Sequence, residues 1–167
     1  APTGHNSQNF SFLVVHNREL IRELAKRTAV FYGNLYQMLS APGVNLPLWL
    51  QTHMRGFRLN WEYYQQGKDR IFRDPPALIF IHAPSENVSS AQNCHLAMAH
   101  IIFQAAALGL GTCINGYFLS AAERDPSLIK ELEIPKENKI YTCCTVGYPA
   151  LNFRRLVQRK LPAVRWL

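Results

Sequence analysis

Cysteine, acidic side chains and long apolar runs are all scarce in this chain of 167 residues, and each scarcity excludes a class of protein. The four cysteines, Cys94, Cys113, Cys143 and Cys144, lack the CxxC-type clustering of zinc or iron-sulfur frameworks, so they are expected to pack as small buried hydrophobes in a reducing compartment. No apolar run approaches the ~20 residues that span a bilayer, and Ala1-Pro2-Thr3-Gly4-His5 has no basic-then-apolar leader pattern. The expected setting is the cytoplasm, with no membrane partner. With 9 Gly and 10 Pro, collagen-like and low-complexity classes are excluded, and the aromatic content excludes disorder.

Recognisable catalytic motifs are equally scarce. His95 and His100 lie five apart on one predicted helix, the wrong offset for two metal ligands on one face, and there is no HExxH. There is no GxSxG elbow and no paired-carboxylate signature. Gly109-Leu110-Gly111 follows a predicted helix instead of a strand and lacks a third glycine, which argues against a dinucleotide fingerprint. With no side chain marked as nucleophile or base, an enzyme of this sequence would leave the difficult step to a bound cofactor.

What is present is a core-forming chain, 48% hydrophobic, able to bury about 70% of its unfolded surface as one globular domain. Eighteen Lys and Arg stand against eleven Asp and Glu, a formal charge of +7, and Arg154, Arg155, Arg159, Lys160 and Arg165 crowd the last fourteen residues. Such a cluster is either a solvated end or a phosphate-seeking one, for nucleic acid, anionic lipid or a small phosphorylated ligand.

Along the chain, Phe10–Val15 reads as a buried strand behind a polar loop. Asn17 N-caps a long amphipathic helix that ends at Pro42-Gly43. Part of 44–76 is helical, with Trp49, Phe57, Trp61, Tyr63 and Tyr64 interleaved with basic residues. Ala77–Ala83 reads as a buried strand, Ser89-Ser90-Ala91-Gln92 as a capping box, and the apolar stretch to Gly109 as a central helix. Gly111–Gly116 reads as a short extended segment, Ser120 with Glu123 as a second capping box, Asp125-Pro126 as a helix start and Ile140–Val146 as the last strand. With no internal repeat or linker, the class is α+β or α/β. The opening Pro2–Gln8 packs permissive and amide residues that suit either a turn or the edge of a flat heterocycle.

Three ordered stretches resemble the FMN-dependent nitroreductase family. Ala1-Pro2-Thr3-Gly4-His5-Asn6-Ser7-Gln8 is similar to its A-P-S-x-x-N-x-Q loop, and Ala107-Leu108-Gly109-Leu110-Gly111-Thr112-Cys113 to its A-L-G-L-G-[ST]-C segment. Val146-Gly147-Tyr148-Pro149, followed by Arg159-Lys160-Leu161-Pro162, is similar to its closing G-Y-P and basic end. The wording most resembles the branch fused behind a ferredoxin-like domain. The resemblance implies an α+β fold with a mostly antiparallel or mixed central sheet flanked by helices, in an intertwined homodimer. It implies FMN contacts from Pro2, Thr3, Gly4, Asn6 and Gln8 of one subunit reaching the flavin of the other. Cys113, Ile114, Asn115 and Gly116 would run along the isoalloxazine, with an N–H of Asn115 or Gly116 at N5, and Arg159 and Lys160 would hold the phosphate, so that no nucleic acid is needed to explain the basic end. The implied activity is ping-pong reduction of nitroaromatics, quinones or similar flat acceptors by NAD(P)H or reduced ferredoxin, the aromatic segment being either a lid or packing against the dimer partner. A flavin-storing or flavin-sensing protein is the alternative. The family also begins with an R-R-S-x-R segment upstream of the loop, so sequence preceding Ala1 is expected.

Overall fold

The computed structural model describes residues 1–151 and 158–166. Four strands, β1 (Ser11–Val15), β2 (Ala77–Pro84), β3 (Gly111–Ile114) and β4 (Asn138–Gly147), form one fully antiparallel sheet in the order β1-β2-β4-β3. Around it lie α1 (Arg18–Leu39), α2 (Leu48–Gln65), α3 (Ser90–Ala107) and α4 (Gly116–Arg124), with short 3₁₀ segments at Gly4–Asn6 and Pro126–Leu132. This is the expected α+β class.

Side-chain alternation along the strands sorts the core into two layers. Leu78 and Phe80 of β2, Ile140 and Cys143 of β4 and Val15 of β1 face α1, α2 and α4, whose Ile21, Leu24, Tyr32, Phe57 and Phe118 complete a large cluster. Ile79, Ile81 and Ala83 of β2 and Cys144 of β4 face α3, where Cys94, Ala97 and Met98 form a thinner one. Tyr141 is an extra residue in β4: Ile81 lies opposite Thr142 whereas His82 lies opposite Ile140. Such a bulge keeps both faces apolar across an irregular register.

Local signals explain most helix limits. Asn17 Oδ1 accepts from the N–H groups of Glu19 and Leu20, capping α1. Asp125 Oδ1 accepts from Ser127 N–H, with Pro126 in the first turn of its 3₁₀ segment. Helix α2 packs on α1 because Gly33 leaves room for the Trp61 ring: a Cβ there would stand 2.8 Å from it.

Four local expectations fail. Strand β1 is an edge strand, and Phe12 and Val14 are exposed on the α3 side because α3 packs on β2, β4 and β3 and leaves β1 bare. Nor is α3 central: one stripe is buried while Leu96, Phe103 (74% exposed) and Leu108 are bare. Neither capping box forms. Ser89 is already near-helical in backbone, the turn before α3 is fixed by Asn87 Oδ1 accepting from Ser89 N–H, and Ser90 donates to the Pro84 carbonyl. Ser120 lies within α4, where its Oγ accepts from Arg124. Of the cysteines, Cys94, Cys143 and Cys144 are buried but Cys113 is exposed on edge strand β3.

Candidate functional site at the two sheet edges

The opening loop is held in a strained shape. His5, Asn6 and Gln8 all have positive φ, each costing on the order of 1–3 kcal/mol for a residue with a Cβ. What maintains it is Asn93, only 2% exposed, in the first turn of α3. Its Oδ1 accepts from Gly4 N–H at 2.9 Å, and its Nδ2 donates to Ser7 Oγ and Asn9 Oδ1, both at 3.3 Å. Gly4 lets the loop approach α3 closely: a Cβ there would stand 2.9 Å from Ser89 Oγ and 3.1 Å from Ser89 Cβ, so Ser89 or the loop would have to shift. Thr3 Oγ1 accepts from Gln8 N–H, and Gln8 Nε2 donates to Asn6 Oδ1. Asn6 Nδ2 and Gln8 Oε1 have no hydrogen-bond partner among the described residues, on an exposed loop.

At the opposite edge, β3 pairs only with β4 among the described residues, so its outer backbone groups meet no strand. Cys113 and Ile114 are exposed there. Asn115 then starts α4, and its N–H is donated to the Cys143 carbonyl at 3.1 Å. Of the two N–H groups expected at a flavin N5, only that of Gly116 is left, and a Cβ on Gly116 would meet nothing within 4 Å. The Asn115 side chain makes no cap, so Gly116, Tyr117 and Phe118 carry N–H groups without acceptors among the described residues. An uncapped helix start is partially positive and binds electron-rich atoms.

Within one chain these two halves stay apart. Ser11 lies level with His82 and Ile140, whereas Ile114 lies level with Cys144 on the far side of β4. Three strand spacings across and three residues along β2, from His82 to Ile79, amount to roughly 18 Å. The structure thus gathers Pro2, Thr3, Gly4, Asn6 and Gln8 in one loop and Cys113, Ile114, Asn115 and Gly116 at the β3–α4 turn, without joining them. Arg159 and Lys160 are exposed in the C-terminal stretch, and neither has a carboxylate partner among the described residues. Arg154 and Arg155 lie outside the described residues.

The aromatic segment divides. Phe57 is buried and stacks on Tyr32 at 4.9 Å, and Trp61 packs over Gly33, so both belong to the α1–α2 seam of the chain itself. Tyr63 lies beneath Arg70 and Lys68. Only Trp49, 63% exposed at the start of α2, remains as a ring able to cover a ligand. Burial raises the Cys94 and Cys144 thiols to about 11 and Cys143 higher still, so these three stay protonated and inert near neutrality.

Sequence reading missed Asn93, Asp69 and Ile71. Asn93 was visible as a polar interruption of the apolar stripe that continues through Cys94, Ala97 and Met98. Asp69 accepts from the N–H groups of Ile71 and Phe72 through Oδ1 and of Asp74 through Oδ2, an Asx-type knot that its position ahead of a turn could have signalled. Among the described residues no helix is long and apolar enough to cross a membrane.

A nitroreductase with bound FMN from Desulfitobacterium hafniense has the same fold, with TM-score 0.68 and 18% identity over 99% of this chain and 80% of its own. A second nitroreductase with bound FMN, from Bacteroides fragilis, gives 0.66 and 19% over 98% and 80%. Iodotyrosine deiodinase bound to FMN and 3-iodo-L-tyrosine gives 0.70 and 18% over 99% and 80%. No curated protein matches the chain significantly. The model of the nitroreductase family matches residues 1–148, nearly the whole of the chain, which therefore belongs to the nitroreductase family.

Proposed function

We propose that this chain is an FMN-dependent oxidoreductase that works as a homodimer, each flavin lying between the opening loop of one copy and the β3–α4 turn of the other. The observation that carries this reading is the separation of the two half-sites on opposite edges of one sheet, beside a bare apolar face. Phe12, Val14 and Ile114 all lie on the α3 side of the sheet, and with Leu96, Phe103 and Leu108 they form a face that a second copy would cover. The residues suit a flavin: a strand edge and a helix start that meet no partner among the described residues, a glycine with open space beside it and amide side chains for the ring edge. Arg159 and Lys160 supply the charge that a phosphate requires.

When bound, FMN would supply the redox chemistry, a two-electron carrier that a nicotinamide would load with one hydride or a reduced ferredoxin with two single electrons and protons from solvent, and that a flat acceptor would discharge. The protein's own share is to bind, orient and stabilise charge. The Gly116 N–H and the positive end of α4 offset negative charge that builds up beside them during reduction. The loop is strained in advance, so little further ordering is required when a ligand arrives. NAD(P)H or a reduced ferredoxin is the proposed donor, a nitroaromatic or quinone the proposed acceptor, in alternating turns at one site.

The test is a spectrum. Purified protein should be a yellow dimer with a band near about 450 nm that NAD(P)H bleaches without oxygen. Bleaching by reduced ferredoxin alone assigns the donor, bleaching by neither favours flavin storage, and a colourless monomer that takes up no FMN overturns the reading.

A further inference from the structure

Asparagine is among the best N-cap residues because its Oδ1 can accept from the N–H groups of the first helical turn. Asn115 stands at the N-cap of α4 and does not do this. Its Nδ2 instead donates to the Ile71 carbonyl at 3.1 Å, a contact across 44 residues. Its N–H goes to the Cys143 carbonyl, and its own carbonyl accepts from Leu119 N–H and from Cys143 Sγ. The residue is only 7% exposed, and Oδ1 is buried without a partner. An unpartnered buried acceptor is costly, and three helical N–H groups stand uncapped beside it.

The far end of the tether is itself fixed. Ile71 sits in the Asp69 knot, and Arg73 and Asp74 just beyond it have positive φ. The chain thus ties the β3–α4 turn to a rigid loop at the expense of the local cap. A turned-in Oδ1 would occupy the helix start, whereas the tethered side chain leaves it open.

On the basis of the functional reading above, we infer that Asn115 is a positioning residue: by bonding Ile71 instead of its own helix, it keeps the exposed Tyr117 N–H free and holds the turn so that the Gly116 and Tyr117 N–H groups face the cofactor. Its side chain is buried, with Nδ2 committed to the Ile71 carbonyl. Serine at this position could cap α4 but is too short to hold Ile71, while alanine does neither.

The full chain is compared with Asn115→Ser and Asn115→Ala in three measurements: melting temperature without cofactor, amide exchange at Gly116 and Tyr117 without cofactor, and FMN affinity with the potential of the bound flavin. The serine variant should melt above the alanine variant and protect the Tyr117 amide, which exchanges freely in the wild type. Both variants should bind FMN about tenfold more weakly and hold it at a more negative potential. Wild-type affinity and potential in the serine variant would reduce Asn115 to an ordinary structural position and overturn this inference alone. Wild-type protein that binds no FMN would overturn the functional reading together with it.

Discussion

The two faces of the sheet are built from different materials. On one side α1, α2 and α4 close a layer rich in large rings, with Tyr32 stacked on Phe57 and Phe118 set between Phe72 and Phe80. On the other, α3 packs Cys94, Ala97 and Met98 against β2 and β4, with Phe12, Val14 and Ile114 open on its flanks among the described residues. The first layer is complete within the chain. The second has the small residues of a close-packed centre and the exposed apolar rim of an unfinished surface. Stability and assembly should therefore respond to different substitutions.

The sharpest way to separate them is to damage the closed layer. Phe118→Ala removes a fully buried ring, and equilibrium unfolding should show a loss of about 3–5 kcal/mol. On the open layer, Phe103→Glu should leave the fold of the isolated chain intact while weakening self-association by about 2 kcal/mol or more, read by sedimentation against concentration. If Phe103→Glu unfolds the chain instead, the two layers are not independent. Asn93→Ala should cost about 1–3 kcal/mol by releasing Gly4, Ser7 and Asn9, and should lower FMN affinity through the freed loop.

A smaller effect concerns pH. His82, buried at the β2–β4 irregularity, is held below its ordinary pKa by desolvation, and its Nδ1 lies 2.8 Å from Asn138 Nδ2. An amide nitrogen can only donate, so Nδ1 is the acceptor and the ring is neutral. Its folded pKa is depressed, so the unfolded chain binds the proton more readily. The contribution of His82 is complete above about 6.5, the unfolded value, and is lost as pH falls toward the folded value. Melting curves of His82→Gln should lack this acid-side slope. Trp49→Ala should have the least effect on stability, within about 0.5 kcal/mol, while altering the preference among flat acceptors. Unchanged preference would exclude Trp49 as a cover for the site.

Much of the fold was legible because its signals are local. Asn17 and Pro42-Gly43 bracket α1, and the prolines around Ala77–Ala83 bracket β2. The open face was not legible, because Leu96 and Phe103 look the same in sequence whether they are buried or bare. The capping boxes misled for a related reason: Ser89 and Ser120 match a pattern, but Asn87 and Arg124 compete for the same short-range bonds. Within the candidate site, the loop and the β3–α4 turn were legible as motifs. Their anchors were not, since Asn93 reaches Gly4 across 89 residues and Asn115 reaches Ile71 across 44.

Among the described residues, both sheet edges, β1 and β3, end in backbone groups with no strand beside them and apolar side chains alongside. A strand edge of this kind is a template for adding another chain, in order or in disorder. If a second copy covers it, folding and solubility become matters of mass action: dilution strips the cover and exposes the edges. The melting temperature should then climb with protein concentration, and dilute preparations should be the ones that aggregate on warming.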